Sequence, residues 1–209
     1  ARSERERAFE RQREFVADAS HELRTPLTSV QANLELLEGS LADEDDRHAV
    51  TSALGSTRRM SRLVSDLLLL ARADAGRRSA RTGADLAAIA QDALGEIEPL
   101  ADGSELSGEV AGSLPIEGNP DELHRMVLNL LENALRHTPA GTKVLLRAAA
   151  DGDEALLTVS DSGLGLPESL GDQVFQRFVR GDGPADTSAS SGSGLGLAIV
   201  RAVATSHGG

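Results

Sequence analysis

Cysteine, tryptophan and tyrosine are absent from the chain, and phenylalanine occurs only at Phe9, Phe15, Phe175 and Phe178. Without cysteine there is no disulfide framework and no thiol chemistry, which fits a reducing compartment. Base-stacking platforms need clustered rings, so the composition argues against binding of single-stranded nucleic acid. No apolar run approaches the roughly 18 residues that span a bilayer, and the N-terminal stretch lacks a signal-peptide pattern, so the chain reads as soluble as it stands. Positive charge is scarce in the second half. Residues 1–80 carry 13 Arg against 14 Asp or Glu, whereas residues 82–209 carry 7 basic and 19 acidic side chains, and the whole chain stands at −12. A surface that acidic repels nucleic acid, and the break in charge marks a domain boundary.

What is present is mainly aliphatic. The chain has 209 residues, 40 % of them hydrophobic, enough to bury a core in each of two small domains. Apolar positions recur at Phe9, Val16, Leu23, Leu27, Val30, Leu34 and Leu37, a heptad-like stripe. "EGSLADEDD" interrupts it. A second stripe runs Val50, Leu54, Thr57, Ser61, Val64, Leu68 and Ala71, widened by Met60, Leu63, Leu67 and Leu70. Two such helices joined by a short turn make an antiparallel hairpin that cannot enclose its own apolar faces. Dimerisation into a four-helix bundle would cover them, and a plain coiled-coil spacer has the same periodicity.

"AGRRSARTG" is small, polar and bounded by glycine, so it reads as a linker. After it, "DLAAIAQDALGEIEPLA" reads as a helix, "LPIEG" as a short strand and "NPDELHRMVLNLLENALRHT" as a strong helix. Asn119 can cap that helix, Pro120 suits its first position and Glu122 can complete a capping box. "TKVLLRAAA" and "EALLTVSDS" predict a β-hairpin around "DGDE". Residues 179–193 are polar and small and read as a mobile loop. From Gly194 the pattern is helical again.

In "FVADASHELRTPLTSV", at about 100° per residue, His21 lies roughly 200° from Leu23 and projects away from the apolar stripe. Thr25 shares its face one turn on, and Glu22 lies beside it. Pro26 removes the donor to the Glu22 carbonyl and bends the helix at a cost of about 3 kcal/mol. The stretch resembles the H-box of sensor histidine kinases, with His21 at the phosphoacceptor position. The resemblance implies that an imidazole nitrogen attacks the γ-phosphate of ATP, with Glu22 as orienter and general base. A neutral imidazole beside a carboxylate suits that chemistry. It also implies that Glu22 and Thr25 position water for dephosphorylation of the partner protein.

Three further segments extend the resemblance. In "LNLLENALRHT", Leu123, Met126, Val127, Leu130, Leu131 and Ala134 form the expected buried stripe, with Asn129 and Asn133 stacked on its flank. Solvated amides would give the same pattern, but the stretch resembles the N-box, in which Asn133 would hold magnesium, Asn129 would support it, and Arg136 and His137 would approach phosphate or ribose. His124 and His137 lie about 220° apart round the helix, so they are no transition-metal pair. "DSGLGLP" matches the first glycine box at Asp161, Gly163 and Gly165, with the aspartate accepting from the adenine amino group. "GSGLGLAIV" matches the second at Gly192, Gly194, Leu195 and Gly196, where backbone amides at a helix start can meet phosphate. No Gly-Lys-Ser/Thr follows, so it is not a Walker loop. Between the two boxes, "VFQRFVRGD" matches the F-box, with Phe175 and Phe178 as anchors and Arg177 or Arg180 available for phosphate.

The family resemblance implies two domains: residues 1–76 for dimerisation and histidine phosphotransfer and, after a linker at 77–83, residues 84–209 as an ATP-binding domain of the Bergerat type. The fold class implied is multidomain: an all-α hairpin dimerising into a four-helix bundle, then an α/β sandwich with a mixed sheet and helices on one face. ATP and Mg2+ are the implied cofactors. The implied partners are a second copy of the chain and the receiver domain of a response regulator, without nucleic acid. "ARSERERAFERQREF" resembles the lead-in from an upstream module, so the chain is expected to be the cytoplasmic portion of a membrane-anchored bacterial sensor. Family members continue past "SHGG" into a final β-hairpin, whose absence would expose a sheet edge. Two other readings stay open: a non-catalytic dimeric scaffold with an inactive ATP domain, and a Bergerat-type ATPase without kinase activity.

Overall fold

The computed structural model describes residues 23, 25–41, 43–76, 79–101, 103–136, 138–139, 141–163, 165, 170–179 and 193–209. The chain forms two compact units, residues 1–77 and 78–209.

In the first unit, helix α1 (25–40) is followed by helix α2 (Glu44–Asp74). Asp43 starts α2: its carboxylate accepts the N–H groups of Asp45 and Asp46 at 2.9 and 3.1 Å, and three acids in the first turn complement the helix dipole. The helices run antiparallel, tied by Thr51 Oγ1 to Glu38 Oε1 at 2.6 Å and by Arg58 to Glu35 at 3.0 Å. Gln31 first, and then Arg58, hold the Glu35 carboxyl below its usual range by donating to the charged form.

Inside this hairpin Leu54, Thr57 and Leu70 are buried and Leu27 and Leu34 half-buried. The alternate members of the α1 stripe, Leu23, Val30 and Leu37, are exposed, as are Met60, Leu63 and Leu67 of α2, all at 39 to 48 %. The heptad stripe thus divides, one half closing the hairpin and the other facing outward.

The second unit runs β1 (Thr82–Asp85), α3 (Leu86–Ile97) with a 3-10 turn at Glu98–Leu100, β2 (Glu105–Val110), β3 (Pro115–Gly118), α4 (Pro120–Arg136), β4 (Lys143–Asp151), β5 (Glu154–Asp161), a second 3-10 turn at Gly171–Phe175, and α5 (Gly196–His207). β1 and β3 pair antiparallel. A second, mixed sheet has the order β2-β4-β5, parallel across β2 and β4 and antiparallel across β4 and β5. Val144, Leu146 and Ala148 of β4 are buried, and the core continues through Ile89, Ala90 and Ala93 of α3, Val127 and Leu131 of α4, and Ile199 and Val203 of α5. The opposite face of β2 and β4 carries the exposed pairs Glu105–Lys143 and Glu109–Arg147. This is the expected mixed sheet with helices on one face.

Four local features depart from the expectations. Thr82 and Gly83, read as linker, are the first half of β1. β2 was not expected: Gly108 breaks its pattern, and the Leu94 side chain of α3 lies over it, 2.4 Å from where a Cβ would stand. On α4, Leu128 and Asn129 are buried while Met126 and Leu130 are only half-buried, because α5 packs on that flank and widens the face. The capping box is also incomplete. Asn119 Oδ1 accepts from Glu122 N at 3.1 Å as expected, but the Asn119 N–H donates to His207 Nε2 at 3.0 Å and the Glu122 carboxylate takes the Ser79 hydroxyl.

Asp85 links β1, α3 and the approach to β3. Its carboxylate accepts from Ala87 N at 2.9 Å, Leu114 N at 2.8 Å and Ser113 Oγ at 2.7 Å. The Leu114 and then the Ser113 hydrogen bond hold this carboxyl below the usual range.

Candidate functional site

α4 supplies the first wall. Asn129 is 5 % exposed, and its Nδ2 donates to the Arg125 carbonyl one turn back at 2.9 Å. Its Oδ1 faces α5: a Cβ on Gly196 would stand 3.2 Å from it. Glycine at 196 therefore lets the start of α5 approach the asparagine closely. Asn133, one turn further along α4, is half-buried. Arg136, expected near phosphate, lies over Glu132 at 3.9 Å. His137 lies outside the described residues.

The second wall follows β5. Asp161 is exposed, and its Oδ1 accepts the Gly163 N–H at 2.9 Å, closing a tight turn. A Cβ on Gly163 would stand 2.5 Å from Thr138 Cγ2, so the turn is seated against the second residue after α4. Thr138 Oγ1 in turn donates to the Ala134 carbonyl at 2.7 Å. Gly165 is exposed.

The third wall is the entry to α5. Gly194 has φ 68°, and its carbonyl accepts the Phe178 N–H at 2.8 Å. Leu195 is 1 % exposed, its N–H donating to Ser193 Oγ at 3.3 Å. Leu195 at the N-cap has no side-chain group to cap α5, and among the described residues no other side chain does so, which leaves the amides of its first turn to meet an anion. Phe178, expected to anchor through its ring, is instead 64 % exposed and sits at φ 62°, joined to Gly194 through backbone. Arg177 is exposed; Arg180 and Gly192 lie outside the described residues.

Gly196 of the second glycine box and Gly163 of the first are therefore both seated along the C-terminal half of α4 and the residues just past it. Of the H-box, Thr25 lies exposed on α1, while His21 and Glu22 lie outside the described residues. Two contributors were not singled out in the sequence. Thr138 supports the Asp161 turn, and its position just after the N-box helix was the available signal. His207 reaches Asn119 from 88 positions away, and no local pattern announces that.

No helix among the described residues is long and apolar enough to cross a membrane. Residues 118–209 match the family model of histidine kinase-, DNA gyrase B- and HSP90-like ATPases, and residues 11–76 match the His Kinase A (phospho-acceptor) domain. The probable sensor histidine kinase TcrY of Mycobacterium tuberculosis is 41 % identical over 200 residues, covering 94 % of this chain and 42 % of its own length. The sensor protein IrlS of Burkholderia pseudomallei is 37 % identical, covering 97 % and 44 %. The chain thus spans less than half of each of these relatives. Full-length ShkA, crystallised with AMPPNP, superposes with a TM-score of 0.70 at 32 % identity, over 92 % of this chain and 41 % of that one. The mycobacterial sensor histidine kinase MprB superposes with a TM-score of 0.53 at 31 % identity, over 61 % of this chain and 80 % of that one. With a phosphoacceptor domain and an ATPase domain in chain order, and such relatives along nearly its whole length, this chain belongs to the sensor histidine kinases of two-component systems.

Proposed function

We propose that the chain is the core of an autophosphorylating kinase. The second unit binds ATP, His21 receives its γ-phosphoryl group, and an aspartate of a response regulator takes it on. The observation that carries this reading is the seating of Gly196 against Asn129, which brings a helix start that no described side chain caps beside the asparagine helix. The amides opening α5 would bind phosphate. Asp161, with Oδ1 engaged by Gly163, would accept from the adenine amino group through Oδ2.

At His21 an imidazole nitrogen forms the new bond to the γ-phosphorus as the bond to the bridging oxygen breaks, and ADP leaves. Glu22 takes the ring proton. Most of the acceleration would come from positioning and charge stabilisation. Asn133 fits a magnesium ion by the chemistry of its amide oxygen, a hard donor, while the Asn129 amide nitrogen is already given to the Arg125 carbonyl. Magnesium bound with the triphosphate would neutralise charge developing on the phosphates. Among the described residues no group of three or more His, Cys, Asp or Glu could hold a metal, so the ion would be held jointly with ATP phosphates.

Dephosphorylation of the regulator, with Glu22 and Thr25 placing water, belongs to the same reading. So does a homodimer formed through the exposed halves of the α1 and α2 stripes. The relatives are longer sensor proteins, and this supports placing the chain as the cytoplasmic portion of a membrane-anchored sensor. The test is incubation with γ-labelled ATP and magnesium, against His21→Gln. Acid-labile, alkali-stable label lost in the variant is expected. Label that survives the substitution would overturn His21 as acceptor; nucleotide binding without label would favour a scaffold, and turnover without a phosphoprotein a plain ATPase.

A further inference from the structure

We propose that His207, the last residue of α5, is a positioning residue for the nucleotide site, fixing how far α5 lies along α4. The inference rests on the nucleotide-binding reading above and assigns a role at the opposite end of α5 from the glycines.

Both ring nitrogens have specified work. Nε2 lies 3.0 Å from the Asn119 backbone nitrogen, which can only donate, so Nε2 carries no hydrogen. Nδ1 lies 2.8 Å from the Val203 carbonyl oxygen, which can only accept, so Nδ1 carries the hydrogen, with Ser206 Oγ also at 3.0 Å. The ring is therefore a neutral imidazole in one tautomer. Any hydrogen on Nε2 would point at the Asn119 N–H and break the bond. The seat is also shaped for the ring. Gly118 is buried, and a Cβ there would stand 2.9 Å from His207 Cδ2 and 2.7 Å from Leu123 Cδ1.

The consequence lies at the other end of α5. Gly196 rests against Asn129 and His207 against Asn119, so α5 is held to α4 near both of its ends. A helix is stiff along its axis, so slippage at His207 carries Gly194 and Gly196 along α4 with it. The Asn119 N–H precedes α4 and has no partner within that helix, so the imidazole is the acceptor that satisfies it. Arg81 adds a second tie in the same turn by donating to the Ser206 carbonyl.

The experiment uses the whole chain, magnesium and a fluorescent non-hydrolysable ATP analogue, with affinity read by anisotropy. His207→Phe keeps a ring of similar size without an acceptor, and its Kd should rise about tenfold. His207→Gln places Oε1 within reach of the same N–H and should recover most of that loss. Gly118→Ala displaces the ring without altering it and should behave like His207→Phe. Long-range ¹H–¹⁵N spectra of the wild type should show His207 protonated on Nδ1 and bare on Nε2, a reading that needs no variant to fold. Equal affinity of His207→Phe and wild type, failure of His207→Gln to recover binding, or a hydrogen on Nε2 would each overturn the proposal. A wild-type chain that binds no analogue overturns the nucleotide reading as well.

Discussion

Replacing Gly194 by alanine separates two costs that glycine avoids, because Gly152 provides a matched control. Both have positive φ, 68° at Gly194 and 62° at Gly152 in the β4–β5 turn. Alanine in that conformation costs about 1–2 kcal/mol wherever it occurs. At Gly152 nothing lies within 4 Å of the added Cβ, so Gly152→Ala should lose only that amount. At Gly194 the Cβ would meet Phe178 Cα at 2.9 Å and its carbonyl carbon at 3.0 Å. Carbon atoms prefer about 3.5–4.0 Å, and these neighbours are backbone that cannot rotate aside. Overpacking of this kind adds about 1–3 kcal/mol, so Gly194→Ala should cost about 2–5 kcal/mol in total. Against a typical stability of about 5–15 kcal/mol the fold survives, but the hydrogen bond from Phe178 N to the Gly194 carbonyl must give way. Urea unfolding followed by far-ultraviolet circular dichroism suits a chain without tryptophan or tyrosine, and analogue affinity reports on the site. Equal stability losses for the two variants would refute the steric part of the reasoning.

Asp85 should give a pH signature. Its folded pKa is depressed, so its contribution is fully present above the unfolded value near 3.9 and disappears as pH falls through the folded value. The stability gap between wild type and Asp85→Asn should hold steady above about pH 5 and close on acidification; an unchanging gap down to pH 3 would contradict the assigned hydrogen bonds. Asn129→Ala strips a buried amide from the Arg125 carbonyl and should cost about 1–3 kcal/mol in urea unfolding, together with most analogue binding. A stable variant that still binds nucleotide would remove Asn129 from the site. Leu63→Glu with Leu67→Glu places two charges on the exposed α2 stripe. Light scattering should then find the chain mass in place of twice that mass, and a persisting dimer would place the interface elsewhere.

Where neighbours in sequence determined the outcome, the fold could be read in advance. Asn119 and Pro120 announced α4, and "DGDE" between two alternating runs announced the β4–β5 hairpin. Where distant packing decided, it could not. Thr82–Asp85 is too short and polar to read as a strand, and it forms one by pairing with β3. Gly108 looks like a strand breaker until Leu94 is seen in the space its side chain would fill. At the site, the glycines were legible because close approach of one backbone to its neighbours, as at Gly163 and Gly196, demands that residue type. Glu122 was misassigned within its cap because its competitors, Ser79 and His207, arrive from far along the chain.

The parallel pairing of β2 with β4 has a kinetic consequence. Parallel neighbours need a crossover, and β3 and α4 form it, so the helix bearing Asn129 and Asn133 also delivers the third strand to its sheet. The β4–β5 hairpin can form within about 1–10 μs from local contacts, but β2 must wait for the longer closure through α4. Substitutions that weaken α4 should therefore slow folding as well as binding. In the chain α4 stands between β3 of one sheet and β4 of the other, so a change in its length or angle is passed to both.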